Sequence, residues 1–128
     1  MEKEELMIGD WVYITEYPMK KEAKQVKPEH FLRSLVVFEP IPITPEILEK
    51  NGFKCVDNIY PYPVFRIDDT ENYFAITIAF PKGNKTKRKH PFVEIDSRDV
   101  FVEHIIVNSI HELQHALKLC KIKKEITL

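Results

Sequence analysis

SIHELQHALKLC, residues 109–120, is the stretch whose reading decides the fold. At about 100° per residue, Ile110, Leu113, Leu117 and Cys120 fall on one stripe, so the segment predicts an amphipathic helix that closes a core. Ser109 and Glu112 have the spacing of a capping box. The serine is expected to cap the helix while the glutamate reaches back to the cap's own N–H. His111 and His115 lie roughly opposite the stripe and are expected to face solvent unless another segment covers them.

The same residues spell HExxH. In zinc hydrolases that spacing sets two histidines one helical turn apart to share a metal, and the glutamate activates the bound water. A third protein ligand is still required. No histidine follows His115, and Glu125 is the one side-chain carboxylate downstream. Upstream, His104 stands on an expected strand and His90 in a charged loop. The reading is therefore a capped structural helix with no catalytic residue, no metal ligand and no cofactor. Glu112 as base, His111 and His115 as ligands and zinc as cofactor belong to an alternative reading only.

The sharpest local signal upstream is ITPEILEKNGF, residues 43–53. Thr44 is a good N-cap, Pro45 suits the first helical position, and Ile43 can staple onto Leu48. Asn51-Gly52 supplies a left-handed terminus, followed by Phe53 for the hydrophobic contact that often closes such an end. A second short helix is expected over 28–35, opened by Pro28 and Glu29, with Phe31, Leu32 and Leu35 as its apolar face.

Strands are expected at Trp11–Thr15, after a Gly9-Asp10 turn, and then through most of 53–107. The segments are Phe53–Ile59, Val64–Ile67, Asn72–Phe80, Phe92–Ile95 and Val100–Val107. In the third of these, Phe74, Ile76, Ile78 and Phe80 alternate onto one face, which should line the core. Lys20–Lys24 reads as a solvated loop and Glu125–Leu128 as a terminal strand.

KGNKTKRKH, residues 82–90, reads as a polar hairpin loop. Lys85, Lys87, Arg88 and Lys89, with Lys82, are the candidates for phosphate contact, and Lys118, Lys121, Lys123 and Lys124 can extend the patch if the fold gathers them. No aromatic residue is interleaved for base stacking, so a solvated hairpin tip that discourages edge aggregation is the preferred reading. Trp11 and the Tyr60–Tyr62 pair are candidates for a binding surface, but aromatics in strands commonly serve the core. Asp68-Asp69 and Asp96/Asp99 are candidates for a cation, but acidic pairs at strand ends commonly bond their own backbone.

The 128 residues suit one domain, 1–128, with 44% hydrophobic and 30% charged residues. Nine prolines against three glycines imply short, stiff connections, and a formal charge of −1 gives no global pull toward nucleic acid or membrane. MEKEEL lacks the layout of a signal peptide, and no apolar run approaches the roughly 20 residues of a membrane helix. Cys55 and Cys120, far apart and without CxxC spacing, are expected to be buried thiols in a reducing compartment. The expected location is cytoplasmic.

Three segments resemble a family. ELMIGDWVY (5–13), PIPITPEILEKNGFK (40–54) and IHELQHALKLCKIKKEITL (110–128) are similar to the landmarks of small proteins found in Bacteroidetes genomes and their prophages. Those proteins carry an IGNWV-like opening, a PIPLTPEILEKNGF-like helix and a VHELQHALRLCGI-like ending. The resemblance runs in order along the chain, while the middle strands and the 82–90 loop match only as a pattern. Its segments mark the family without assigning chemistry. The family ending often reads closer to VHQLQNLYFAL, which implies that the helix is needed and a metal is not. This chain departs from the pattern at Lys121, where a glycine often ends the helix.

Together these readings predict an α+β domain, an antiparallel sheet of about five strands packed by helices near 28–35, 44–51 and 109–120. The expected function is a non-enzymatic accessory or interaction protein of phage or mobile-element origin, with another protein or a second copy as partner and no membrane. A minimal HExxH zinc hydrolase and a nucleic-acid accessory protein using the 82–90 loop are the alternatives.

Overall fold

The computed structural model describes residues 6–32, 36–57, 64–71, 73–80, 91–97 and 101–128. Eight strands and three helices follow one another as β1 Trp11–Glu16, β2 Glu22–Gln25, α1 Pro28–Leu32, β3 Val36–Pro40, α2 Pro45–Lys50, β4 Lys54–Asp57, β5 Val64–Asp69, β6 Phe74–Ala79, β7 Phe92–Ser97, β8 Phe101–Ile106 and α3 Ile110–Leu119. They form an α+β fold with two antiparallel sheets, ordered β2-β1-β3 and β4-β5-β6-β7-β8.

The five-stranded sheet is the one expected from 53–107, and its central strand shows why. Ile76 and Ile78 are fully buried, and Phe74 and Phe80 pack against the same core, as the alternation in β6 requires. Val93 and Ile95 of β7 lie beside them. The stripe of α3 completes this core with Ile110, Leu113, Leu117 and Cys120, joined by Ala116. Fully burying a leucine such as Leu113 contributes about 2 kcal/mol, so the stripe is a principal source of stability.

The three-stranded sheet was only partly foreseen. β1 presents two apolar faces: Trp11 and Tyr13 pack on the main core, while Val12 and Ile14 enter a smaller one with Leu6, Val26, Val36 and Phe38. Phe31 of α1 covers this second core, its ring centroid 6.1 Å from that of Phe38. The stretch expected to be a solvated loop is instead the edge strand β2, paired with β1 from Trp11↔Gln25 to Ile14↔Glu22. Charged residues on an exposed edge resemble a loop in composition, and they also block further pairing. β3 was not read as a strand at all. It alternates buried Val36 and Phe38 with exposed Val37 and Glu39.

α1 covers Pro28–Leu32, shorter than the 28–35 expected, and 33–35 lie outside the described residues. Its start is held by a side chain the sequence reading passed over. His30 Nδ1 accepts the Lys27 N–H at 2.9 Å, so Nε2 carries the proton and donates to Glu16 at 3.0 Å. Helix α2 matches the reading at both ends. Thr44 Oγ1 accepts the Ile47 N–H, and Ile43 and Leu48 share the main core. At the other end, Gly52 N donates to Glu49 O and Phe53 N to Leu48 O, a Schellman closure with Gly52 at φ +91°.

α3 ends in the same way. Lys121 N donates to Lys118 O and Ile122 N to Leu117 O, with Lys121, not a glycine, in the left-handed conformation at φ 58°. The segment after it forms no ladder among the described residues, contrary to the terminal strand expected at Glu125–Leu128. Its residues alternate between more and less exposed, and the Asn51 amide pairs with the Thr127 main chain through bonds of 2.7 and 2.8 Å. Cys120 is buried as expected, but Cys55 is exposed on the edge strand β4; both are free thiols. Among the described residues, no helix is long and apolar enough to cross a membrane.

Candidate functional site

The polar face of α3 does not look into solvent. The turn Met7–Asp10 and the first residue of β1 lie across Gln114 and His115, and neither histidine is exposed as expected: His111 is 5% exposed and His115 is partly buried. His115 Nε2 lies 2.7 Å from Asp10 Oδ2, and that oxygen also accepts the Met7 N–H at 2.8 Å. Asp10 has no exposed surface. Gln114 clamps the neighbouring main chain, donating to Gly9 O at 3.1 Å and accepting the Trp11 N–H at 2.8 Å.

The capping box also differs from expectation. The Ser109 hydroxyl caps no N–H; it donates to Glu112 Oε1 at 3.0 Å and lies 3.0 Å from His111 Nδ1. A hydroxyl has one proton, so with that proton on the Glu112 bond the Oγ accepts from His111, whose Nδ1 then carries the hydrogen. The Ile110 N–H goes to Ile41 O, and Pro42 bridges Ser109, so backbone contact with the chain leading to α2 holds the start of α3.

Every polar residue of HELQH thus joins α3 to its own N-terminus or to the start of β1. The two imidazoles meet edge to face, with centroids 5.7 Å apart. A metal at His115 would have to take Nδ1 or displace the bond to Asp10. Among the described residues, no three His, Cys, Asp or Glu side chains are grouped to hold a metal. Asp10 Oδ1 and Trp11 Nε1 are buried without hydrogen-bond partners among the described residues.

A second locus lies at the far end of α3, where a groove of about 1090 Å³ opens between the last turn of α2, the β5–β6 turn and the C-terminal segment. Lys50, Lys121, Lys123 and Lys124 line it from the α2 end and the tail, and Asp69 and Glu71 from the β5–β6 turn. Tyr73, at φ 57° and 62% exposed, and Leu119, 84% exposed, add apolar surface. Tyr73 and Lys121 are the two non-glycine residues with positive φ among those described, and both line this groove.

The remaining sequence candidates are dispersed. Lys82, Lys85, Lys87, Arg88, Lys89, His90, Tyr60, Tyr62 and Asp99 lie outside the described residues, as does the side chain of His104. Asp68 is on the solvent side of β5, paired with Arg66 at 2.9 Å, and the bond to that guanidinium holds its carboxyl below the usual range. Trp11 serves the core. The sequence reading missed Asp10 as the partner of His115, Gln114 as a clamp, and the tail as a groove wall. Asp10 and His115 are 105 positions apart, and Gly9-Asp10 read simply as a turn. Compared with known proteins, the chain matches no family model, no curated protein and no solved structure.

Proposed function

We propose that this protein is a non-enzymatic accessory or interaction protein, of the phage or mobile-element kind that the resemblance implies. One observation carries the reading: Gln114 and His115 of HELQH are engaged in holding the N-terminal turn against α3, and Glu112 is bonded by Ser109. The groove at the other end of α3 is lined by none of these residues. It offers charge and apolar surface, the means of binding rather than of catalysis.

The alternative is a minimal zinc hydrolase with His111 and His115 as ligands and Glu112 as base. One feature favours it, the buried Asp10 carboxylate beside His115 with Oδ1 lacking a hydrogen-bond partner among the described residues. Metal analysis of protein purified without chelator separates the two readings. The interaction reading expects zinc well below one equivalent and unchanged in His111→Ala. Near-stoichiometric zinc that is lost in His111→Ala, with a hydrolytic activity lost in Glu112→Gln, overturns it.

A further inference from the structure

We infer that the segment after α3 is an open strand edge that accepts an extended acidic peptide segment of a partner protein as an added strand. The inference rests on the interaction-protein reading and names the partner's chemistry. Burial in this segment already has the two-residue rhythm of a strand: Ile122 and Ile126 are buried and Leu128 packs on the core, while Lys123, Glu125 and Thr127 are exposed. It nevertheless has no ladder partner among the described residues. The main-chain N–H and C=O groups of Lys123, Lys124, Glu125 and Ile126 make no hydrogen bond to any described residue. Asn51 fixes the far end by bonding Thr127 and Leu117 O fixes the near end by accepting from Ile122 N, so the edge is held in place. A strand edge of this kind beside an open groove is what strand-adding peptides recognise.

Charge selects among the occupants. The edge itself carries Lys121, Lys123 and Lys124 against the single Glu125; elsewhere in the groove Lys50 stands at the end of α2, and Asp69 and Glu71 on the β5–β6 turn. Cross-strand neighbours share a face, so acidic residues beside these lysines are favoured. Two copies of the tail would each bring the same lysine excess and repel. A nucleic acid would gain no main-chain pairing. Lys121 adds a further point: it holds a left-handed conformation that glycine adopts freely, so a basic side chain stands where backbone stability alone favours none.

The test uses the intact chain and a fluorescein-labelled peptide of about eight residues alternating valine and glutamate, with an alternating valine-lysine peptide as control. Anisotropy should show saturable binding of the acidic probe, about tenfold or more tighter than the control. Lys123→Glu combined with Lys124→Glu should abolish that preference. Lys124→Pro and Glu125→Pro remove N–H groups from opposite edges of the segment. One of them should weaken the acidic probe by about tenfold or more with the thermal midpoint unchanged.

Glu125→Pro is informative for a second reason, because it also deletes a negative charge. Attraction by charge alone makes that variant bind the acidic probe more tightly, whereas pairing along its edge makes it bind less. Unaltered binding in both proline variants overturns strand addition. Equal binding of the two peptides overturns the acidic partner. Tail-dependent dimers by sedimentation without probe binding overturn it in favour of a second copy, and a DNA duplex that binds more tightly than the probe overturns it in favour of nucleic acid. Loss of probe binding in a zinc-free protein removes this inference and leaves the non-enzymatic reading standing; stoichiometric zinc removes that reading itself.

Discussion

Asp10, fully buried, bonds His115 at 2.7 Å across 105 residues of chain, tying the first turn of the protein to its last helix. Removing one partner of such a pair leaves the other buried without compensation, and that is more costly than removing both. His115→Ala should lower unfolding free energy by about 3 kcal/mol in urea titration. Asp10→Ala should cost a similar amount because the Met7 N–H also loses its acceptor. The double variant should fall well short of the sum. Additive losses would show that the two side chains do not stabilise one another.

The two helix ends test backbone conformation. Lys121 at φ 58° is an L-residue where glycine carries no Cβ penalty, so Lys121→Gly should raise stability by about 1 kcal/mol, or about 4 °C in thermal midpoint. Gly52→Ala should do the reverse by about the same amount. Gly52 sits at φ +91°, and a Cβ there would meet Ile67 Cδ1 at 3.4 Å. A destabilised Lys121→Gly would mean that the lysine side chain itself supports the fold.

Asn51 holds the C-terminal segment by two main-chain bonds, donating to Thr127 O and accepting the Thr127 N–H, and it also donates to Ile47 O of its own helix. With 5% exposure it has little water to fall back on. Asn51→Ala should cost about 2 kcal/mol. It should also speed carboxypeptidase trimming of the last residues, since the clamp is what keeps them docked. Asn51→Asp keeps the acceptor but turns a carboxylate toward two carbonyls, and it should be no milder. Wild-type trimming rates in both variants would remove the clamp.

The thiols should separate in time. Cys55 is exposed, whereas Cys120 is buried, and burial raises its thiol above the usual value. Less thiolate and less access both slow Cys120. Titration with a disulfide reagent at mildly alkaline pH should show one prompt thiol, absent in Cys55→Ser, and a second that appears only on unfolding. Two prompt thiols would contradict the docking of the end of α3.

α2 was legible in full because its signals are local. Thr44, Pro45, Asn51 and Gly52 act on backbone groups within a few residues of themselves, so sequence spacing is spatial spacing. The same holds for the stripe of α3 and the alternation of β6, where periodicity fixes which side chains face the core. β2 and β3 were not legible in this way. An exposed edge strand shares its charged composition with a loop, and only pairing to β1 distinguishes them.

SIHELQHALKLC by itself determined a helix with a buried stripe, ending near Cys120. Its polar face could not be read from spacing, because what covers that face comes from the opposite end of the chain. Tertiary structure decided that His115 meets Asp10, that Gln114 grips Gly9 and Trp11, and that Ser109 serves Glu112 and His111 rather than the helix N–H groups. It also left the tail beside a groove, without a partner strand among the described residues. Local hydrogen bonds and periodicity are written along the chain; long-range partners depend on which surfaces remain to be covered once the apolar faces have packed.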